Sequence, residues 1–304
     1  MRNHWLGVLM TVCLASCGVA QFDPQVGALR PFDKPAPQAP GGAIEYHGGP
    51  IFEVAPNVYI VYYGNWTRKD HRVIDSFFAH LGGTTMDKIN TTYSDKNNRF
   101  EPNALHYKPA TDSYHDNYSF GHTVNDADIQ NIIANAISAG HLPNDIDGIY
   151  FVLTATDVTD SDGFCSQFCG YHGPSTSIVS GEIIKYAMVG NPAQCPLGCE
   201  ASAVIGDSNS PNNDPGADGA VSNMWKVFSE STSDPEVGLH PAWDGFLGEN
   251  GDVCAWQFGT LHLAPNGSHY NEKFHGKEYI AQMMLKLTSK RRQGEVPGVC
   301  KNTF

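Results

Sequence analysis

The chain has 304 residues, a hydrophobic content of 41% and a formal net charge of −13. This length and composition are enough for one large hydrophobic core or two small ones. The acidic balance argues against a nucleic acid or an anionic membrane as a partner, because both require a basic protein face.

The first twenty residues have the pattern of a secretory signal peptide. Arg2 precedes an apolar run from Trp5 to Leu14, and the small Ala20 permits cleavage before Gln21. The run is too short to cross a membrane, which takes about 20 apolar residues, and no later stretch approaches that length. Lipid anchoring through Cys17 is the alternative to simple secretion, because the residues before it also fit a bacterial lipoprotein processing site.

Residues 21–43 predict a disordered leader. The segment carries five prolines and ends in a glycine pair, a composition typical of extended and poorly ordered chain. The folded domain is therefore expected at residues 44–304.

Strand patterns alternate with helix patterns through the domain. Strands are predicted at Val58–Tyr63, Ile89–Tyr93, Ile149–Leu153, Ile183–Val189 and Trp256–Leu263. Helices are predicted at Asp70–Leu81, Asn125–Ile137, Asp218–Ser231 and Gly276–Leu287. This alternation predicts an α/β fold, a single layered domain with a central mixed sheet.

Six cysteines follow the predicted leader: Cys165, Cys169, Cys195, Cys199, Cys254 and Cys300. An even number in a secreted chain predicts disulfides, whose pairing the sequence leaves open. Two C-x3-C pairs could instead hold zinc, but their spacing is wider than the usual C-x2-C. Four N-x-S/T sequons predict glycosylated surface sites at Asn65, Asn90, Asn117 and Asn266.

The helix that begins at Asp218 is the centre of the functional argument. In a zinc hydrolase such a helix presents H-E-x-x-H or H-E-x-x-E, with two metal ligands one turn apart and a glutamate that accepts a proton from water. Here the five residues are Lys226-Val227-Phe228-Ser229-Glu230. A protonated lysine has no lone pair for zinc and valine is no base, so only Glu230 could serve. We interpret Lys226 and Glu230 as a solvated ion pair on the helix surface.

Other candidate residues have weaker patterns. His172 and His47 could be metal ligands or bases, but each sits in a turn where a hydrogen-bonded histidine is the favoured interpretation. Trp243 is the surface candidate for stacking on a sugar ring. An acidic loop could bind calcium, but its spacing does not fit an EF-hand and a hydrated loop is favoured. Its oxygen-bearing residues are Asp244, Glu249, Asn250 and Asp252.

Several segments resemble the plant EXORDIUM / phosphate-induced-protein family and its microbial relatives. They are Tyr46-His47-Gly48-Gly49-Pro50, Val58 to Gly64, Asp162 to Cys165, Cys169 to Gly173, Val189-Gly190-Asn191-Pro192, Gly216 to Gly219, Ser233-Asp234-Pro235 and Gly251 to Trp256. They occur in family order from about residue 45 to 285.

The resemblance implies a secreted, extracellular or cell-wall-associated protein, linked in plants to growth responses and without a settled activity. Some microbial relatives carry H-E-x-x-E on the central helix, which implies a zincin-like ancestry for the fold. Lys226 and Val227 occupy the positions of that histidine and glutamate, so the resemblance implies a non-catalytic member.

We therefore expect a disulfide-braced extracellular protein that binds a glycan or cell-wall polymer. No cofactor is assigned, and zinc and calcium stay open as metals. The alternative is a secreted metal-dependent hydrolase of peptidase type. It would use Glu230 together with histidines from elsewhere in the chain, such as His47, His172 or His240.

Overall fold

The computed structural model describes residues 28–29, 41–289 and 294–304. The predicted signal peptide, Cys17 within it, and most of the predicted leader lie outside these residues. The strands are β1 (Ala28–Leu29), β2 (Gly41–Tyr46), β3 (Asn57–Tyr63), β4 (Ser113–Asp116), β5 (Thr123–Val124), β6 (Gly148–Thr154), β7 (Thr159–Asp160), β8 (Gly170–Ser175), β9 (Ile184–Gly190), β10 (Trp243–Asp244), β11 (His262–Leu263), β12 (His269–Tyr270), β13 (Glu272–Phe274), β14 (Lys277–Tyr279), β15 (Met284–Leu287) and β16 (Val296–Lys301). The α-helices are α1 (Arg68–Leu81), α2 (Pro109–Asp112), α3 (Asp126–Ser138), α4 (Pro196–Cys199), α5 (Ala201–Val204), α6 (Pro215–Ser233) and α7 (Asn250–Val253).

A six-stranded mixed sheet forms the middle of the fold, in the order β1-β8-β9-β6-β3-β4. Strands β4, β3, β6 and β9 run parallel, β8 is antiparallel to β9, and β1 is antiparallel to β8. Every residue of β6 is buried, as expected of a continuous apolar strand covered on both faces. The α/β class and the central mixed sheet are thus confirmed.

Helices cover both faces of this sheet. On one face, the hydroxyl of Tyr171 in β8 donates to Asp126 at the start of α3. On the other face, α1 and α6 contact each other, with Phe78 of α1 against Phe228 of α6. Since neighbouring residues of a strand point to opposite faces, His172 in β8 points away from α3, towards α6.

A second sheet, antiparallel throughout, has the order β10-β2-β16-β15. The short helix α7 contacts α6 on one side and strands β2 and β15 of this sheet on the other. Helix α6 is therefore enclosed between the large sheet and the second sheet, and its residues 216–233 are all buried. Among the described residues, no helix has the length and apolar character required to cross a membrane.

Two predicted helices are confirmed, and the structure shows the side chains that cap their first turns. Helix α1 begins after Thr67, whose hydroxyl accepts from the backbone N–H of Asp70, and Asp70 accepts from Thr67 in return. Helix α3 begins after Asn125 with the same reciprocal pattern. Helix α6 is also present, but it starts at Pro215 and not at Asp218, since proline suits the first turn of a helix.

Three other element predictions are wrong. Residues 276–287 form strands rather than a helix, because His275 and Gly276 both have positive φ and make a tight turn between β13 and β14. Residues 89–92 belong to a 3₁₀ helix, Asp87–Thr92, and Tyr93 follows its end. The strand predicted at 256–263 shrinks to β11, because Trp256 itself has positive φ.

The boundary of the leader also differs from the prediction. Ala28 and Leu29 pair with β8, and Gly41 to Ala43 already belong to strand β2. Gly41 has no room for a side chain, because an added Cβ would lie 2.4 Å from the carbonyl oxygen of Gly298 in β16. The folded part therefore starts before residue 44.

The six cysteines form three disulfides. Cys165 pairs with Cys195 and Cys169 with Cys199, so two bridges fasten the turn before β8 to the segment after β9. The third bridge, Cys254–Cys300, ties the end of α7 to β16. The predicted bracing by disulfides is confirmed, and the structure supplies the pairing that the sequence leaves open.

Replacing both Cys254 and Cys300 with alanine is expected to lower the free energy of unfolding by about 2–4 kcal/mol, because the bridge closes a long loop of the unfolded chain. Urea unfolding of the double variant and the wild type under oxidising conditions measures this difference. An unchanged midpoint would show that the bridge adds nothing to stability.

Candidate functional site

Five ionisable side chains meet where α6, β8 and α7 come together. Lys226 and Glu230 come from α6, His172 from β8, Glu249 from the residue before α7, and Asp252 from α7 itself. We call these five residues the central cluster. The side chains of Lys226 and Glu230 are 0% exposed, and only Asp252, at 21%, reaches solvent appreciably.

The ammonium of Lys226 is the cation of the central cluster. Its Nζ lies 2.6 Å from Glu230 Oε2 and 2.9 Å from Asp252 Oδ1. Burial alone would lower the pKa of Lys226, but the charges of Asp252, Glu230 and Glu249 outweigh it and raise this pKa above its ordinary value. Lys226 therefore carries its charge in the folded protein, without water around it.

The imidazole of His172 contacts both oxygens of Glu249, at 3.2 and 3.1 Å from Nε2. Burial lowers the pKa of His172 to about 3, and burial raises the pKa of Glu249 well above its ordinary value. The contact is accordingly a hydrogen bond that includes a neutral imidazole and not an ion pair.

The cluster has more acids than bases. One ammonium faces three carboxyl groups, from Glu230, Glu249 and Asp252. Burial raises the pKa of Glu230 well above its ordinary value, while Lys226 opposes this shift. Because a single positive charge cannot compensate three negative ones, two of which are buried, protonation of one of the buried carboxyl groups is favoured.

Backbone from α7 covers the cluster closely. An added Cβ on Gly251 would lie 2.7 Å from Lys226 Cγ and 2.8 Å from Glu230 Oε1, so only glycine fits there. Gln282 holds this backbone in place by donating from Nε2 to the carbonyl oxygen of Gly251, at 2.8 Å. Under this cover Glu230 is 0% exposed.

Three side chains in the cluster have the composition of a metal site. Donor atoms of His172, Glu230 and Glu249 all lie within 4.8 Å of one another, the one such group in the described part of the chain. A nitrogen and carboxylate oxygens suit zinc. The charged Lys226 nevertheless lies against Glu230, and the repulsion between an ammonium and a divalent ion makes this set unfit for a metal as it stands.

The structure corrects the interpretation of the Lys226–Glu230 pair as solvated. The sequence shows one apolar stripe on α6, but α7 and the second sheet cover the opposite side of the helix as well. The hydrated acidic loop is likewise wrong for Glu249 and Asn250, which are buried. The four calcium candidates do not converge, since Asn250 donates to Ser233 of α6 and Asp244 pairs with His47.

Of the predicted histidines, only His172 joins Glu230. His47 is partly exposed and pairs with Asp244. His240 is exposed and lies 2.6 Å from Glu236 on its own segment. Neither belongs to the central cluster.

Trp243 is not a surface residue. Its ring is buried against Tyr46 and Tyr93, and its Nε1 donates to the carbonyl oxygen of Ser94. The prediction that it stacks on a ligand is therefore wrong. An aromatic residue that the sequence did not single out, Phe246, is 97% exposed.

The four sequons differ in accessibility. Asn65 and Asn117 are exposed. Asn266 is exposed too, but its amide donates to Ser210 and Asn213. Asn90 is buried and accepts from the hydroxyl of Ser229 in α6. The prediction of a surface site is wrong at Asn90.

The sequence missed the partners that complete the cluster. Glu249 and Asp252 belong to the stretch Gly248-Glu249-Asn250-Gly251-Asp252, and their acidic character was noted only for calcium. Their contacts with His172 and Lys226 span 77 and 26 positions of the chain. The spacing of residue types along the sequence does not predict contacts between residues so far apart.

Comparison with known proteins gives consistent matches. Residues 44–286 match the family model described as the phosphate-induced protein 1 conserved region. EXORDIUM-like 5 of Arabidopsis thaliana is 29% identical over 242 residues, which are 71% of this chain and 65% of the relative. PHOSPHATE-INDUCED 1 of Nicotiana tabacum is 27% identical over 222 residues, 63% of this chain and 65% of the relative. The match thus spans slightly less than two thirds of these two relatives. No solved structure gives a significant match.

Proposed function

The chain belongs to the phosphate-induced protein 1 family, and from this membership we propose that it is a secreted protein that acts outside the cell by binding and not by hydrolysis. Three disulfides support secretion, because such bridges persist in oxidising compartments. The signal-peptide pattern at residues 1–20 supports it too, and Asn65 and Asn117 offer exposed acceptors for glycans.

The position of Lys226 is the observation that carries the non-catalytic part of the proposal. A hydrolytic zinc site keeps one coordination position open for water or substrate. In this protein a buried ammonium lies against Glu230, and Gly251 closes the approach. We interpret α6 as a zincin-like helix that has exchanged its metal ligand for a cation of its own.

A glycan or cell-wall polymer is the proposed ligand, and the turn at residues 245–248 is its proposed contact. Gly245 and Gly248 exchange two backbone hydrogen bonds, which fixes the turn and leaves Phe246 at its tip. Asp244, two residues before that ring, pairs with His47, and both side chains are partly exposed polar groups. An aromatic face beside hydrogen-bonding groups suits a sugar, which has apolar C–H faces and hydroxyls.

A metal-dependent hydrolase is the second candidate, favoured by the convergence of His172, Glu230 and Glu249. Lys226 argues against a hydrolase, because its ammonium lies against Glu230 and would repel a divalent ion there. The two candidates make different predictions for Glu230, which a hydrolase needs for activity and a binding protein needs only for stability.

Binding to insoluble polysaccharides tests the proposal. We expect the secreted full chain to co-sediment with at least one of cellulose, chitin, β-1,3-glucan or xylan, and Phe246→Ala to weaken this binding by roughly tenfold, since the ring would contribute about 1.4 kcal/mol. Leu263→Ala is the matched control, because Leu263 is exposed but lies away from the turn in sequence.

Two results would contradict the proposal. One is that no polysaccharide retains the wild type. The other is that the wild type hydrolyses a peptide or ester substrate and that Glu230→Gln, while still folded, abolishes this activity.

A further inference from the structure

We propose that the ammonium of Lys226 stands in for a divalent cation, and that removing it uncovers a metal site formed by His172, Glu230 and Glu249. This inference deepens the non-catalytic proposal at the same cluster. It can fail separately, because metal binding is measured without any polysaccharide.

The geometry of the three ligands favours a small tetrahedral ion. Zinc bonds to nitrogen and oxygen of about 2.0–2.1 Å place neighbouring ligands roughly 3.3 Å apart. His172 Nε2 is 3.1 Å from Glu249 Oε2, close to this spacing. A carboxylate oxygen of Glu230 lies within 4.8 Å of both, and a shift of roughly 1.5 Å would bring it to the spacing of a third ligand.

Unused bonding capacity points in the same direction. Glu230 Oε1 is buried and has no hydrogen-bond partner among the described residues, although its neighbour Oε2 contacts Lys226. The ring nitrogen Nε2 of His172 lies 3.1 Å from Glu249 Oε2, within reach of the same space. A buried carboxylate lone pair and a ring nitrogen are thus already present beside Lys226.

The charges explain why the ammonium excludes a metal. With Lys226 in place, an incoming divalent ion would meet a positive charge 2.6 Å from Glu230. Without it, the carboxylates of Glu230 and Glu249 would be buried and uncompensated, and an ion of charge +2 would neutralise both. The negative charges of Glu230 and Glu249 can therefore be compensated in two ways. One is the ammonium of Lys226 together with a proton, and the other is a single divalent metal ion.

The test compares Lys226→Met with the wild type, using Zn²⁺ alone as the probe. We expect Lys226→Met to bind one equivalent of Zn²⁺ in equilibrium dialysis, and its Tm to rise when zinc is added. Co²⁺ in its place should give the visible absorption of a tetrahedral site. The wild type should retain no stoichiometric zinc, and Lys226→Met/Glu230→Gln should bind at least about tenfold more weakly than Lys226→Met, since a lost carboxylate ligand removes more than about 1.4 kcal/mol.

Lys273→Met is the matched control. Lys273 is exposed and pairs with Glu278 on the surface, so its removal should not create zinc binding. The zinc that Lys273→Met binds also measures the background from surface histidines, which all the variants share.

Three results would overturn the inference. Lys226→Met could fold and take up no more zinc than Lys273→Met. The wild type could bind one equivalent that Glu230→Gln removes, which would mean that the ammonium does not exclude the metal. Finally, Lys226→Met and Lys226→His could both fail to fold even when refolded with zinc, which would show that a divalent ion cannot replace the ammonium.

Discussion

Replacing Lys226 with methionine is expected to lower the free energy of unfolding by about 3–5 kcal/mol in metal-free buffer. Methionine preserves most of the side-chain volume, so the loss is of charge and not of packing. It leaves Glu230 buried without its cation, and removing one partner of a buried ion pair has a cost of this size. Urea unfolding monitored by circular dichroism, with EDTA present, measures the difference.

The surface pair provides the control for this prediction. Lys273 contacts Glu278 at 2.7 Å but is 55% exposed, so Lys273→Met should change stability by less than about 1 kcal/mol. Adding Glu230→Met to Lys226→Met should recover part of the loss, because the uncompensated carboxyl group is then gone. If Lys226→Met and Lys273→Met lowered the free energy of unfolding equally, the result would contradict a buried ion pair between Lys226 and Glu230.

Stability should fall as the pH rises from 5 to 8. Burial raises the pKa of Asp160 to about 6, that of Asp87 to about 7, and those of Asp234 and Glu272 to about 8. Between an unfolded pKa near 4 and these folded values, the folded chain holds protons that the unfolded chain has released. Raising the pH therefore destabilises the fold, by about 1.4 kcal/mol per pH unit for each group that titrates in this way.

His172 acts in the opposite direction over a different range. Its pKa is lowered to about 3, so its contribution is complete above the unfolded value of about 6.5 and is lost as the pH falls below it. Between pH 5 and pH 6.5 His172 offsets part of the loss of stability caused by the carboxyl groups, and above pH 6.5 the decline comes from the carboxyl groups alone. A net loss of at least about 3 kcal/mol between pH 5 and pH 8 is expected.

Unfolding by urea at pH 5, 6.5 and 8 measures this dependence, with Glu272→Gln as the matched variant. Glutamine resembles the protonated acid, and the pKa of Glu272 is shifted by burial alone. The variant should match the wild type at pH 5 and be more stable at pH 8. A wild type as stable at pH 8 as at pH 5 would show that these carboxyl groups are not buried as the fold places them.

Local patterns predicted the parts of the fold that depend on neighbouring residues. Strand β6 is a run of apolar residues, and helix α3 has its cap and stripe in consecutive turns, so both are visible in the sequence. Residues 276–287 have an apolar spacing that fits a helix, but the turn at His275 and Gly276 makes them strands. The conformation of that turn determines the secondary structure of these residues, and the spacing of apolar residues does not reveal the turn.

The site was only half predictable for a related reason. The sequence showed that Lys226 and Glu230 lie one turn apart and that the motif of a zinc hydrolase is broken. It could not show that α7 covers them, because that depends on a contact with Asp252, 26 positions away. Burial turns the expected weak surface pair into an ion pair without solvent around it, and the burial of Trp243 was missed for the same reason.

Nuclear magnetic resonance of the side-chain ammonium of Lys226, in protein labelled with ¹⁵N-lysine, tests the central claim most directly. A charged ammonium held between Glu230 and Asp252 and shielded from water should give a slowly exchanging ¹H–¹⁵N signal that persists at pH 8, when exposed lysines such as Lys273 exchange too fast to be seen. That signal should vanish in Lys226→Met. A rapidly exchanging Lys226 ammonium, or the nitrogen shift of a neutral amine, would contradict the claim that this lysine is the buried cation of the site.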